Sequence, residues 1–136
     1  MTALFVDTSA WLDYVDSRSG SHRDLVPIIR GQPGPFVTTT YVLAELAVLT
    51  LSRFGHPAAA TLGERLRRDP RVRVEHPTSA EEDEAWQLFL NRPDKTYSLT
   101  DCLSFTIMRR LGLDTAVTLD EHFRQEGFAV LPRPEP

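Results

Sequence analysis

Residues 97–120 read Tyr97-Ser-Leu-Thr-Asp101-Cys-Leu-Ser-Phe105-Thr-Ile-Met108-Arg-Arg-Leu-Gly112-Leu-Asp-Thr-Ala116-Val-Thr118-Leu-Asp120. Ser98, with Asp101 three positions on, resembles a capping box and opens a helix over 99–111. Gly112 stops that helix. Thr115 to Leu119 then reads as a strand, and Asp120 stands just past it. The stretch therefore delivers two carboxylates to element ends, one in the first turn of a helix and one beyond a strand.

Working outward, the same alternation runs through the chain. Leu4 to Val6 is a short buried strand ending at Asp7, and the start from Met1 belongs to that strand rather than to a leader. Thr8 or Ser9 caps a helix from Ala10 to about Asp16. A second short helix spans about His22 to Arg30, and Phe36 to Thr38 is the next strand. Thr39 or Thr40 caps a long helix to about Phe54, which Gly55 ends. Another helix runs from about Pro57 to Arg68, with proline tolerated in its first turn. Val72 to Val74 alternates with arginines and reads as an edge strand. Ser79 opens a helix whose first turns hold Glu81 to Glu84, where acids suit the helix dipole. A helical turn at Glu121 to Gln125, a strand at Phe128 to Leu131 and a non-helical tail from Pro132 to Pro136 complete the chain. Strands alternating with helices imply an α/β domain over 1–136, with a mainly parallel central sheet and helices on both faces. In such folds sites form outside the carboxyl ends of the strands, where Asp7 and Asp120 lie.

Composition sets the class. The chain has 136 residues, 41% hydrophobic and 25% charged, which suits one soluble domain with its own core. No apolar run approaches the roughly 18 residues of a membrane helix. Cys102 is the single cysteine, so no internal disulfide forms, which fits a reducing cytoplasm. The net charge of -4 speaks against a nucleic-acid partner, unless several acids hold cations and invert the local sign.

Four acids stand out. Glu45 lies among Tyr41, Val42, Val48 and Leu49 at helical spacing, on an apolar stripe where an unpaired charge is costly. Its plain alternative is a rim glutamate or one paired with arginine. Asp101 taken alone is better accounted for by the capping box, although its side chain is shorter than the usual Glu or Gln there, and Asp7 and Asp120 can be turn or cap residues. Taken together, four converging carboxylates would repel one another or stay partly protonated. A hard divalent cation such as magnesium resolves this with oxygen ligands. Zinc spacing is absent, since Cys102 is alone and His22, His56, His76 and His122 are scattered.

With these residues in view the chain resembles the PIN-domain ribonucleases, especially the VapC-type toxins of toxin–antitoxin pairs. The matching pieces are Phe5-Val-Asp7-Thr-Ser-Ala10, Glu45 in the long helix, Tyr97 to Phe105 with Met108, and Ala116 to Phe123 followed by Gly127-Phe128. The middle, about Phe54 to Asp94, matches only in helical pattern. The resemblance implies a three-layer PIN-like fold and an acidic set at Asp7, Glu45, Asp101 and Asp120. It further implies magnesium or manganese, RNA cleavage, a homodimer and a small antitoxin partner.

On this reading Asp7 and Asp101 are the main metal ligands, and Glu45 and Asp120 hold a second ion or orient waters. Thr118 or Thr8 hydrogen-bonds a ligand carboxylate, while Ser9 is only a cap candidate. Lys95, Arg109, Arg110 and Arg124 are the candidates for the RNA backbone, with Arg65, Arg67, Arg68, Arg71 and Arg73 as a second basic cluster. Trp11 and Trp86 read as core, and apolar residues of the early helices as cover for a dimer or antitoxin. A haloacid-dehalogenase-type phosphatase wants a second Asp where Ser9 stands. A phospho-receiver domain wants adjacent acids and a late lysine. A non-catalytic RNA-binding module gains little from four acids facing a polyanion, and a housekeeping RNA-processing nuclease would share the chemistry.

Overall fold

The computed structural model describes residues 3–134. The expectations for Met1, Thr2, Glu135 and Pro136 lie outside the described residues. The first half holds β1 (Leu4–Val6), α1 (Thr8–Val15), α2 (His22–Arg30), β2 (Phe36–Thr39), α3 (Thr40–Phe54) and α4 (His56–Arg68). The second half holds β3 (Val72–Glu75), α5 (Ser79–Leu90), α6 (Leu99–Leu111), β4 (Thr115–Val117), α7 (His122–Gln125) and β5 (Ala129–Leu131).

The five strands form one parallel sheet in the order β3-β2-β1-β4-β5. β3 is an edge, as its arginine alternation predicts. β1 is central, and Leu4, Phe5 and Val6 are all buried, because helices cover both sides of a parallel strand. The chain winds from β1 outward to β3, then crosses back to β4 on the other side of β1. With right-handed crossovers this puts α1–α4 on one face and α5–α7 on the other. It also makes β1 and β4 neighbours across a reversal of winding. A crevice opens at the carboxyl ends of such strands.

One core spans the layers. On the α6 side Phe105 meets Phe123 edge-on at 4.9 Å, and Phe123 tilts against Phe5 at 6.0 Å. On the other side Trp11 is buried, as expected, with its indole Nε1 donating to Thr38 Oγ1 at 3.5 Å. Trp86 departs from expectation. It is 47% exposed and stacked on Phe89 at the surface of α5, because the inward positions there are Glu81 and Ala85.

Three helices take side-chain caps, and α1 is informative for lacking the one its sequence suggests. Thr39 caps α3 by accepting from the Val42 N–H, and Thr78 with Glu81 forms a full capping box on α5. Gly112 ends α6 in the left-handed region at φ 69°, which glycine takes without a Cβ clash. Neither Thr8 nor Ser9 caps α1. Asp7 occupies the cap position, and its side chain makes no cap bond. Its carboxylate is committed elsewhere. Among the described residues no helix is long and apolar enough to cross a membrane.

Candidate active site

The residue after β1 is locked to the strand beside it, since the Asp7 N–H donates to the Val117 carbonyl at 3.0 Å. That bond aims the Asp7 carboxylate along the seam between β1 and β4. Its Oδ2 accepts from the Thr118 hydroxyl at 3.1 Å and from the Ser9 hydroxyl at 3.4 Å. Thr118 Oγ1 in turn accepts from the Asp120 N–H at 3.0 Å, so one hydroxyl fixes both acids. Ser9 does more than cap a helix: its Oγ also accepts from the Leu119 N–H at 3.0 Å, tying α1 to the segment after β4. Thr8 departs from expectation. Its hydroxyl is buried without a hydrogen-bond partner, and its backbone N–H rather than its side chain supports Asp7.

Asp101 enters from the first turn of α6. Ser98 Oγ accepts from the Asp101 N–H, and Asp101 Oδ2 accepts from the Ser98 N–H, both at 3.0 Å. The capping box and the acidic site are therefore the same residue in two roles, not alternatives. The same Oδ2 lies 2.8 Å from His122 Nδ1, and Asp120 Oδ2 lies 3.2 Å from that nitrogen. Asp101, Asp120 and His122 each offer a ligand-type atom, all within 4.8 Å of one another.

Asp7, Glu45, Asp101 and Asp120 all line a single open cleft of about 480 Å³ at this end of the sheet. Glu45 reaches it from α3, half-buried at the rim, with no side-chain hydrogen bond or ion pair among the described residues. The reason for noticing Glu45 needs correcting. Of the stripe around it Val42 is buried and Tyr41 packs on the core, but Val48 is 64% and Leu49 39% exposed, so Glu45 sits at the boundary between core and surface rather than inside an apolar face. Sequence reasoning missed the ionisable lining residues Asp13 and His122, and Thr96 as well. Asp13 sits one helical turn after Ser9 and His122 two positions after Asp120, spacings that would have nominated both.

Electrostatically the cleft is under-compensated, because no lysine or arginine lines it. Asp7 is 4% exposed. Burial above all, and then the nearby Asp101 charge, push its pKa up to about 7, against the pull of the Thr8 N–H and the Thr118 hydroxyl.

The basic candidates sort differently from expectation. Arg109 and Arg110 lie at the far end of α6, roughly 12 Å along the axis from Asp101. Arg109 pairs with Glu126 at 2.8 Å, and Arg110 with Glu75 and Glu81 across three elements. Both are structural braces away from the acidic mouth. Lys95, paired with Asp94 at 3.4 Å, and Arg124, paired with Glu121 at 2.6 Å, stay beside the segments that carry Thr96 and His122. In the second cluster Arg71 is bound to Asp69 and the Ile29 carbonyl, and Arg68 to Glu64, while Arg65, Arg68 and Arg71 line one concavity apart from the acidic cleft.

Compared with known protein families, residues 4–128 match the PIN domain. The chain belongs to the PIN-domain family. Among curated relatives of this PIN domain is the 23S rRNA-specific endonuclease VapC20 of Mycobacterium tuberculosis. It is 33% identical over 132 residues, covering 97% of this chain and 99% of that protein, in each of two strains. The crystal structure of M. tuberculosis VapC20, described as a sarcin-ricin loop cleaving toxin, superposes with a TM-score of 0.88 at 31% identity. The match covers 93% of this chain and 97% of that one. FitAcB from Neisseria gonorrhoeae superposes with a TM-score of 0.65 at 16% identity over 93% of this chain and 95% of that one, a likeness of fold. The three-layer arrangement expected from the sequence is thus the fold of this VapC-type PIN domain.

The donor set of this PIN domain fits a hard divalent cation. Asp101 and Asp120 come within 4.8 Å of each other, Asp7 lines the same cleft, and among the described residues no lysine or arginine lines it; oxygen-rich sets of this kind suit magnesium or manganese. Thr118 is the hinge of the set. Thr118→Val removes the donor to Asp7 and the acceptor for the Asp120 N–H. It should cost about 1–3 kcal/mol of stability, read from urea unfolding. A midpoint unchanged from the parent would mean that the hydroxyl holds neither acid.

Proposed function

We propose that this PIN-domain chain is a Mg2+- or Mn2+-dependent endoribonuclease, the toxin of a VapC-type toxin–antitoxin pair. One observation carries the reading: Asp7, Glu45, Asp101 and Asp120 line one open cleft that no lysine or arginine neutralises. A divalent ion bound there would lower the pKa of its water and offset charge on the scissile phosphate. Asp7 and Asp101 are the principal ligands in this reading. Asp7 is held rigid by Thr118 and Ser9, and Asp101 keeps its Oδ1 free of the bonds made by Oδ2. Asp120 and Glu45 support a second ion or orient water. Glu45, unpaired at the rim, is free to hydrogen-bond water beside the phosphate.

The substrate favoured by the relative VapC20 is 23S rRNA. Lys95 and Arg124, adjacent in sequence to the segments carrying Thr96 and His122, would meet the RNA backbone. Exposed Val48, Leu51, Trp86 and Phe89 give apolar surface for a second copy of the chain or for the antitoxin, and the pair acts in the cytoplasm.

The test is incubation of the purified chain with ribosomes and with total RNA, in Mn2+, in Mg2+ and in chelator. The expected result is discrete cleavage of 23S rRNA with either ion and none in chelator. A folded chain that leaves both substrates intact in every ion, or cuts equally well in chelator, would sink the reading.

A further inference from the structure

His122 stands where neither a ligand nor a passive core residue would. It starts α7, half-buried, and its N–H donates to Asp120 Oδ1 at 3.1 Å. Its ring Nδ1 faces two carboxylate oxygens, Asp101 Oδ2 at 2.8 Å and Asp120 Oδ2 at 3.2 Å. Its Nε2 lies 3.1 Å from Thr96 Oγ1. The ring edge-packs on Tyr97 with centroids 5.3 Å apart.

Carboxylate oxygens only accept, so the nitrogen between them carries the proton. In the neutral ring Nε2 is then the acceptor, filled by the Thr96 hydroxyl, whose rotor is free to donate. Both ring nitrogens are thereby engaged within the protein. Ligation through Nδ1 would require losing its proton and both carboxylate bonds, and Nε2 is turned to Thr96. The imidazole is built to hold the acids, not to join them.

From this we infer that His122, with its tautomer set by Thr96, is a positioning residue that clamps Asp101 and Asp120 side by side and so sets the divalent-ion affinity of the cleft. The inference rests on the metal-dependent reading above and deepens it. By occupying the oxygen of Asp101 that Ser98 also holds, the clamp leaves Oδ1 as the oxygen available to an ion. Its N–H between the two carboxylates also eases their repulsion before any ion arrives.

The experiment is Mn2+ titration of the full-length chain by calorimetry, with urea unfolding of each variant in chelator to confirm the fold. His122→Ala should lose about 10- to 100-fold in Mn2+ affinity. His122→Asn, whose amide can place an N–H near the Nδ1 position, should recover most of it. Thr96→Val should fall between. Parent-like affinity in His122→Ala would overturn the clamp, and a folded His122→Asn as weak as His122→Ala would instead make His122 a ligand. The second readout needs no metal. Ring 15N shifts of the metal-free chain should show the Nδ1-protonated tautomer, weakened in Thr96→Val, and an Nε2-protonated ring would overturn the proposal. If the parent binds no Mn2+, the metal-dependent reading fails while the 15N spectrum still decides the clamp.

Discussion

Asp101→Asn should lower RNA cleavage by more than about 100-fold, since removing a ligand should exceed the 10- to 100-fold typical of its supporting partners. The metal-free protein should be no less stable than the parent. The amide oxygen replaces Oδ2 as acceptor for the Ser98 N–H and for His122, so the capping box survives. That orientation turns the amide NH2 toward the cleft, where a cation would be repelled. The Asp101 charge is also a cause of the raised Asp7 pKa, so removing it relieves a repulsion. Asp101→Ala is the poorer probe, because it also deletes the Asp101 half of the capping box and leaves the Ser98 N–H without its acceptor, at about 1 kcal/mol. Cleavage assays paired with urea unfolding separate the two effects. Parent-like cleavage by the Asn variant would remove Asp101 from the chemistry.

Without divalent ions, stability should fall as pH rises from 5 to 8. Asp7 has a folded pKa of about 7, against about 3.9 in an unfolded chain. Between those values the folded state holds a proton that the unfolded state has released. The stability linked to that proton is full below about pH 4 and is lost as pH climbs through 7, by up to about 4 kcal/mol. The depressed carboxylates act in another window. Burial works to raise Glu126, but Arg92 and Arg109 outweigh it, and the Arg71 hydrogen bond leads in lowering Asp69. Their contributions are present above the ordinary carboxylate range and vanish only as pH falls below it. Unfolding in chelator at pH 5, 6, 7 and 8 should therefore slope downward in the parent and less steeply in Asp7→Asn. Excess Mn2+ should stabilise the parent more at pH 8 than at pH 5, because the bound form needs ionised Asp7. Parallel slopes for parent and Asp7→Asn would refute the assignment.

Where sequence reading succeeded, the relevant physics was local. Ser98 and Asp101 are one turn apart, and that pair formed its capping box, whereas on α5 the cap is Thr78, one position before the Ser79 expected to open the helix. The alternation of strands and helices was enough for a parallel sheet, and hence for placing Asp7 and Asp120 beyond the carboxyl ends of its strands. Where it failed, the deciding contact was distant. Trp86 and the Val48–Leu49 face read as core because helical spacing shows which residues share a face, not whether anything covers it. Arg109 and Arg110 read as close to the site because they follow Asp101 in sequence, yet a helix carries them away from it.

The sequence by itself determined the elements, the Thr39 and Ser98 caps and the acidic residue types, because those depend on neighbours within about four positions. Tertiary structure alone decided that the acids meet. The Thr118 hydroxyl reaches Asp7 across 111 residues only because β4 pairs directly with β1, and that adjacency follows from the crossover after β3. The same pairing brings His122 to Asp101, 21 residues away, a contact that no local pattern encodes.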